Sequence, residues 1–518
     1  MSIITIEMTV AERIDSIVQR LAEPAGEPGY LWPRWIWLRA LGLIFISAFY
    51  SLAFQIHGLI GSHGILPQGR YLAEARQAVP GIAHLWWFPS LFWLNASDGA
   101  LTLVVAAGLL CGVLITLNVW PRLTIALATL LFLSCVTTLQ VFSSYQSDGM
   151  LLEAGLLSIF FAPRGVRPRL GAEDPPSRIA LFMLRWEWFR IYFESGVVKL
   201  ASGDPHWRHL TAMDDYYQNG PLPAWPGWYV QHLPHWYHAA TVIVTLGIEL
   251  FVVWAVFLPR PFRLACAAAV TALQIGIIAT ANYAFLNYLV LMLGVLLLDD
   301  RVFARMGRWF RRGADRPSTE PTRVRWPARI SVACLAFLFY TTVAAFAAPS
   351  GSALGAPARW LDPFRVANAY GLFATMTPAR YEIEFQGSVD GGKTWIAYPF
   401  RYKPQNPMER PGIYAPYQPR FEWNLWFASL APWQDAPWVL NTQARLIEGS
   451  PSVLRLFRSD PFSGHPPPRV RSVLWQYWFT DWRTHEATGA WWRRKELGPF
   501  AGELSKGADG QLTLTPPP

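Results

Sequence analysis

The stretch from Leu184 to Leu200 is apolar apart from five ionisable side chains: Arg185, Glu187, Arg190, Glu194 and Lys199. A charged side chain inside a membrane span is costly, so each of these residues needs either a partner or a chemical task. At about 100° per residue, Glu187, Arg190 and Glu194 fall on one face of a helix. Because residues three and four positions apart are neighbours on a helix, we expect these three to neutralise one another.

Lys199 lies on a second stripe of the same helix, together with Trp188, Tyr192 and Ser195. An amine held in a low dielectric can lose its proton and act as a base or as an imine-forming group. Alternatively, Lys199 extends to the membrane interface and pairs with Asp204, while Arg190 forms a structural bridge. The spacing alone leaves both hypotheses open.

A second polar group, Gln146, Asp148 and Glu153, opens the apolar run that begins near residue 149. Two carboxylates near a membrane surface could bind a cation or serve as acid and base. The simpler interpretation is that Asp148 caps the helix that follows, where its charge meets the positive end of the helix dipole.

The segment 202–238 is rich in histidine, which suggests a metal site, and its histidines are His206, His209, His232, His235 and His238. Pro205 and Pro234 interrupt the histidine spacing, and no HExxH or paired-cysteine motif supports a metal centre. We therefore expect no metal. A GxSxG elbow, a Walker loop and a GxGxxG after a strand are also missing from the sequence, so hydrolase, NTPase and dinucleotide functions lack support.

The elements that must position these residues are apolar runs. The chain is 52% hydrophobic and only 15% charged, which is too apolar for an ordinary soluble enzyme. Nine runs approach the length needed to cross a bilayer: 35–58, 98–119, 122–142, 149–163, 180–201, 239–258, 263–281, 282–298 and 328–348. The four cysteines lie within such runs, so neither disulfides nor structural zinc is expected.

Basic residues predict the orientation of these spans. The net charge of +9 comes with arginines that cluster beside the apolar runs, which indicates topology determinants and not nucleic-acid binding. With the N-terminus in the cytoplasm, nine spans put Arg122, the cluster 164–169, Arg260 with Arg263, and the cluster 301–312 all on the cytoplasmic side. The N-terminal segment is then 1–34, the membrane domain is 35–348 with outer loops 60–97 and 202–238, and residues 349–518 lie on the far side.

The C-terminal region has a different sequence pattern. Residues 381–386 alternate polar and apolar side chains, Asp390 begins a turn signal, and a second strand starts at Lys393, which together predict a hairpin. We therefore expect about nine transmembrane helices in an α-helical polytopic membrane domain, followed by a β-rich, sandwich-like, non-cytoplasmic C-terminal domain. Trp-rich segments at 423–438 and 475–492 are expected against the membrane surface.

The segment from Arg185 to Thr211 strongly resembles the lipase maturation factor family. Further matches span most of the chain from about 35 to 500, at 146–155, 221–223, 282–287, 391–395, 415–420, 448–451, 479–482 and 489–493. The sequence departs from the expected pattern at Ser147, Tyr417, Asn424 and His232, which puts a role for these positions in doubt. The matched segments supply our candidate binding residues: Gln146, Asp148, Glu153, Asp204, Trp207, Arg208, Asp214, Tyr217, Asn282, Tyr283 and Asn287.

This resemblance implies a membrane-embedded, chaperone-like maturation factor that assists folding or assembly of exported proteins such as lipases, with no cofactor. It implies a bacterial inner-membrane protein with a periplasmic C-terminal domain or, in a eukaryote, an endoplasmic reticulum protein with a lumenal one. Its partners would be an exported client and the lipid bilayer.

A more distant likeness covers one helix. Gly196 to Leu200, followed by Asp204 and Trp207, is similar to a motif of the vitamin K-dependent γ-glutamyl carboxylase membrane domain, in which the lysine is the base. It implies an alternative, an intramembrane enzyme in which Lys199 is the catalytic base, Arg190 and Glu194 orient it, and a quinone can serve as cofactor. A transporter is a third hypothesis, although no inverted repeat is visible.

Overall fold

The computed structural model describes residues 10–26, 29–306, 326–349 and 351–517. Part of the predicted cytoplasmic arginine cluster 301–312 lies outside the described residues, namely Arg308, Arg311 and Arg312.

Helices form at each of the nine apolar runs. The α-helices within the described part of the first 349 residues are α1 Val10–Ala22, α2 Leu31–Ile60, α3 Gln68–Ala78, α4 His84–Trp87, α5 Asp98–Thr116, α6 Pro121–Thr138, α7 Gln146–Phe161, α8 Arg178–Ala201, α9 Pro205–Arg208, α10 Tyr216–Asn219, α11 Trp225–Gln231, α12 His235–Leu250, α13 Arg260–Thr280, α14 Leu286–Gly294, α15 Asp300–Met306 and α16 Trp326–Ala347. Short 3-10 segments, Val252–Phe257 and Val295–Leu297, extend α12 and α14.

Six of these helices are long and apolar enough to cross a membrane within the described ranges: α2, α5, α6, α12 with its extension, α13 and α16. The other three predicted spans fall short for identifiable reasons. Helix α7 has 16 residues, and α14 with its extension, Leu286–Leu297, is also short. Helix α8 has 24 residues, and its ionisable side chains lower its hydropathy. Length and composition therefore support six membrane spans. The predicted count of nine spans stays a hypothesis.

Local signals explain how the central helices begin and pack. The Ser177 hydroxyl accepts the N–H of Ala180 and caps α8, and Pro121 occupies the first turn of α6, where its missing N–H costs nothing. Gly108 and Gly112, four residues apart on α5, let α2 approach closely. A Cβ at Gly108 would lie 2.3 Å from the Phe49 ring.

The C-terminal region contains one antiparallel sheet. Its elements are α17 Ala356–Leu361, β1 Arg380–Ser388, β2 Ile396–Ala397, α18 Arg420–Ala428, α19 Trp438–Ile447, α20 Pro451–Leu454, β3 Arg469–Phe479, α21 Trp482–Thr488, β4 Trp492–Lys506 and β5 Leu512–Thr515. The strand order is β2-β1-β3-β4-β5. The predicted hairpin is confirmed as β1 and β2, which pair through Gln386 and Ala397, although β2 has only two residues.

The sandwich-like expectation is not confirmed in the described residues, where helices pack against the five-stranded sheet. In α19, the Gln443 amide donates to the carbonyls of Val470 and Gly502, both at 2.9 Å, which fastens this helix to the sheet. The expectation that the Trp-rich segments lie on the membrane surface also fails in part. Trp423, Trp438 and Trp492 are buried inside the protein.

The two ends of the helix bundle differ in composition. At one end, which we call the arginine end, Arg122 pairs with Asp174 at 3.0 Å and Arg260 pairs with Asp299 at 2.6 Å. Arg34 donates to the carbonyls of Gly171 and Asp174 at the same end. The opposite end carries the C-terminal region and is called the docked end. The arginine clusters and the C-terminal sheet therefore lie at opposite ends of the bundle.

Candidate functional site

Arg190 of α8 lies at the centre of a buried cluster at the docked end. Its guanidinium pairs with the carboxylate of Glu153 on α7 and donates to the carbonyl of Asn368 at 2.7 Å. The second oxygen of Glu153 accepts from the Tyr370 hydroxyl at 2.9 Å and from the Asn368 amide at 3.1 Å. The C-terminal region therefore supplies most of the remaining hydrogen bonds of this ion pair.

The expected neutralisation among Glu187, Arg190 and Glu194 occurs only through space: Arg190 interacts electrostatically with both carboxyl groups, but its direct ion pair is with Glu153. Glu194 accepts the backbone N–H of Tyr370 at 2.7 Å, and neither carboxyl oxygen of the buried Glu187 accepts a hydrogen bond. Helical spacing identified neighbours along α8, but Arg190 points instead to a carboxylate that packing brings in from α7. The carboxylate that pairs with the buried Arg190 therefore lies on a different helix.

Asp148 does not cap α7, because the cap position is Tyr145, which makes no side-chain cap hydrogen bond. Asp148 lies in the first turn, and both its oxygens bind Arg420 of α18, at 2.7 and 2.8 Å, with both side chains fully buried. Gln146 accepts the backbone N–H of Gly371 at 3.1 Å. We call the set Asp148, Glu153, Arg190, Glu194, Asn368, Tyr370 and Arg420 the interdomain clamp.

Lys199 lies nine residues beyond Arg190 and has a different environment. Its ammonium group contacts both oxygens of Glu249 on α12 at 2.9 Å, so the predicted pairing with Asp204 is wrong. Asp204 instead accepts the N–H groups of His206 at 2.9 Å and Met376 at 2.5 Å. Burial opposes ionisation of Asp204, but these hydrogen bonds outweigh it and lower its pKa.

A cavity of about 380 Å³ lies beside the Lys199–Glu249 pair, between α8, α12, α13 and α14. Trp207, Tyr217 and Phe373 contribute aromatic rings to its lining, and Lys199 lies 5.2 Å from the ring centre of Trp207. A polar chain runs along another wall: Asn287 donates to Gln274 at 2.7 Å, and Gln274 donates to the Tyr192 hydroxyl at 2.8 Å. A mostly apolar pocket with a few placed polar groups is typical of small-molecule sites.

Asn282 anchors a segment of the C-terminal region. Its side-chain oxygen accepts the N–H groups of Tyr414 and Ala415, at 2.7 and 3.1 Å. Its amide donates to the carbonyls of Gly412 and Leu222. Asn282 is therefore a structural anchor in this fold, which a motif match alone does not reveal.

The remaining candidates are distributed over the docked end. Tyr283 is buried with its ring 5.1 Å from that of Phe373. Arg208 is exposed and donates to the carbonyl of Leu200, and Asp214 lies 3.0 Å from a ring nitrogen of His235. No group of three or more His, Cys, Asp or Glu side chains that could hold a metal ion occurs within the described ranges. The four cysteines are free thiols.

Sequence reasoning missed Glu249, Gln274, Asn368, Tyr370 and Arg420. Glu249 carried a usable signal, since it is a lone carboxylate inside the apolar run 239–258 and needed a cationic partner. Arg420 also carried a signal, because it ends the matched segment 415–420. Asn368 and Tyr370 carried none, because their partners are more than 170 positions away.

This fold and site define a polytopic membrane protein whose C-terminal sheet region is anchored in one end of its helix bundle. Residues 32–305 match the lipase maturation factor transmembrane domain, and residues 366–502 match the lipase maturation factor C-terminal domain. The chain belongs to the lipase maturation factor family.

Curated relatives agree. The chain is 30% identical to lipase maturation factor 2 of Gallus gallus, over 92% of this chain and 82% of the relative. It is 30% identical to lipase maturation factor 1 of Mus musculus, over 92% and 89%, and to that of Homo sapiens, over 93% and 90%. No solved structure matches the chain.

Proposed function

We propose that this protein is a maturation factor that holds an exported client, such as a lipase, on its docked end while the client folds or assembles. The family membership supports this role. The observation that supports the proposal is the interdomain clamp. The buried Asp148–Arg420 ion pair and the hydrogen bonds of Asn368 and Tyr370 to the Arg190–Glu153 pair hold the C-terminal region against the bundle, so that the two form one continuous surface.

A second cavity of about 380 Å³ opens on this surface and is a suitable client site. The aromatic walls come from Tyr216, Tyr283, Phe373, Trp426 and Phe427, and Phe427 is 43% exposed. Pockets lined by aromatic side chains are where binding energy concentrates in protein interfaces. A chaperone-like protein could receive an apolar side chain of the client there.

The client proposal is tested by adding a charge to this pocket. Phe427→Asp should abolish secreted lipase activity in a deletion strain while leaving the amount of inserted protein unchanged, because Phe427 is already exposed. Leu430→Asp is a matched control, since Leu430 is similarly exposed but does not line the pocket. Equal activity in the two variants would count against the pocket as the client site.

For topology, we propose nine spans, with α7, α8 and α14 crossing as short or charged helices and the docked end in the periplasm or the endoplasmic reticulum lumen. Arginines at the opposite end of the bundle support this orientation. A reporter fused after Pro349 should be active only outside the cytoplasm, and one fused at Arg305 only inside. The reversed pattern would overturn the orientation and move the proposed client site to the other face.

The Lys199 cavity favours a second candidate function, intramembrane chemistry on a lipophilic molecule such as a quinone. A lysine paired with a single carboxylate beside an apolar cavity can exchange a proton with that carboxylate. Arg190 and Glu194 belong to the interdomain clamp, so in this fold they stabilise α8 and do not contact the Lys199 amine. Lys199→Arg separates the two functions, because arginine retains the ion pair but does not deprotonate.

We expect Lys199→Arg to insert normally and to retain partial client activity, as a maturation factor requires. Complete loss of client activity at normal abundance would instead favour the enzyme. Glu194→Gln serves as a comparison, since it weakens a contact of the clamp and should lower abundance under either function.

A further inference from the structure

Part of the C-terminal region runs along the side of α2. We call residues 412–419 the arm. The Ser47 hydroxyl, at the middle of α2, donates to the carbonyl of Pro416 at 2.8 Å, and the Gln55 amide donates to that of Gln418 at 2.9 Å. Ser47 precedes the last residue of α2 by thirteen positions, so the arm descends roughly 20 Å along this helix at 1.5 Å per residue.

A cavity of about 570 Å³ lies between the arm, α2 and the C-terminal region. Its lower part is aromatic. Tyr50 and Phe54 of α2 are 51% and 61% exposed, and the Tyr50 ring lies 6.1 Å from that of Tyr417 in the arm. Because α2 is long and apolar enough to span the membrane, this exposed face is suited to lipid acyl chains.

The upper part of the same cavity is cationic. Arg401 and Arg455 line it, both residues are exposed, and neither forms an ion pair with any described residue. The Arg401 guanidinium donates to the carbonyl of Arg455 at 3.3 Å, which keeps the two residues close together. The carboxylate of Glu422, which also lines the cavity, accepts the backbone N–H groups of Arg401, Tyr402 and Lys403 and forms no ion pair with Arg401 or Arg455. The two guanidinium groups therefore have no carboxylate partner, and they lie beside a lipid-facing aromatic wall.

We propose that this cavity binds one anionic phospholipid, with its phosphate on Arg401 and Arg455 and an acyl chain against Tyr50 and Phe54. Guanidinium groups bind phosphate through paired hydrogen bonds, and basic groups at a membrane surface attract anionic lipids. The bound lipid would contact both α2 and the C-terminal region. The proposal is independent of the client and of the Lys199 cavity.

The experiment uses the full chain in detergent with added phosphatidylglycerol, phosphatidylcholine or soluble glycerol 3-phosphate. Native mass spectrometry should show retention of phosphatidylglycerol roughly tenfold above phosphatidylcholine, since only the anionic head group pairs with the arginines. Glycerol 3-phosphate should not be retained, because it lacks the acyl chain. Equal retention of both lipids, or retention of glycerol 3-phosphate, would overturn the proposal.

Variants then locate the site. Arg401→Gln with Arg455→Gln should remove the preference for phosphatidylglycerol, and Phe54→Ala should weaken it while leaving both arginines in place. Arg483→Gln with Arg493→Gln is the matched control, because these arginines are exposed, carry no ion pair among the described residues and do not line the cavity. If the double variant at Arg401 and Arg455 kept its preference for phosphatidylglycerol, the proposed site would be refuted. The same holds if the double variant at Arg483 and Arg493 lost the preference to the same extent, because the attraction would then be nonspecific.

Discussion

Helix α8 carries two buried ion pairs that differ in what surrounds them. Around Arg190 and Glu153, Asn368 and Tyr370 supply hydrogen bonds, and both charged side chains are almost fully buried. Lys199 and Glu249 pair with each other beside a cavity, and Lys199 makes no other side-chain hydrogen bond with the described residues. The first arrangement holds two regions of the chain together, whereas the second leaves space for a ligand.

The largest effect is expected from Arg190→Leu. This change leaves Glu153 without its cationic partner and removes the donor to Asn368, at a cost of about 3–5 kcal/mol in the free energy of unfolding. The amount of inserted protein should fall sharply, as quantitative immunoblotting of membranes would show. Adding Glu153→Gln should restore little of the lost protein, because the carbonyl oxygen of Asn368 still lacks the donor that Arg190 provided. Wild-type abundance in the single variant would show that the clamp does not stabilise the fold.

Lys199→Met tests the other pair and should cost about 3 kcal/mol, because it leaves the Glu249 carboxylate unpaired in the bundle. Here the double variant Lys199→Met with Glu249→Met should recover most of the lost thermal stability, since two apolar side chains can extend into the existing cavity. If the double variant were no more stable than Lys199→Met, the Lys199–Glu249 pair would respond like the Arg190–Glu153 pair, and the contrast between them would be wrong.

Asn282→Ala should have an intermediate effect, about 1–3 kcal/mol, because it leaves the N–H groups of Tyr414 and Ala415 without their acceptor. Hydrogen exchange at these two amides should accelerate, while the amides of α8 should change little. Asn287→Ala is the control, since Asn287 bonds to Gln274 at the cavity and does not touch the arm. Comparable acceleration at Tyr414 in both variants would contradict the anchoring role of Asn282.

Glu187→Gln should have the smallest effect, within about 1 kcal/mol of the wild type, because it removes a carboxyl group that accepts no hydrogen bond. Glu187 lies only one turn from Arg190, so this variant asks whether the stability of the clamp comes from its specific contacts or from the local density of charge. Thermal unfolding in detergent measures it. A loss as large as that of Arg190→Leu would favour charge density.

The sequence predicted where the helices are, and it identified α8 as a helix whose charged side chains need partners. It did so because apolar runs and misplaced charges are local signals. The partners of those charges were mostly wrong, because spacing along one helix cannot show which neighbouring element will pack against it. Arg190 pairs with α7 and Lys199 with α12, and Asp148 meets Arg420, which lies 272 positions later in the chain.

The C-terminal domain illustrates the same limit. The alternating pattern of 381–386 and the turn at Asp390 were sufficient to predict the β1–β2 hairpin. They could not show what would cover the sheet. Helices α18 and α19, whose sequences carry few strand signals, form that layer in place of a second sheet. The Trp-rich segments were misjudged for a related reason, since aromatic residues suit both a membrane interface and a protein core.

The arm also constrains the order in which the protein can be assembled. The ribosome completes α2 and α14 long before it reaches residues 412–419, yet those residues lie against Ser47 and Tyr288 on these helices. The newly inserted bundle must therefore keep a path open at its docked end until the last quarter of the chain has been made. Asp148 lacks Arg420 during that interval, and Asn282 lacks the N–H groups of Tyr414 and Ala415, so a chain that stops at residue 349 would leave these polar side chains without those partners.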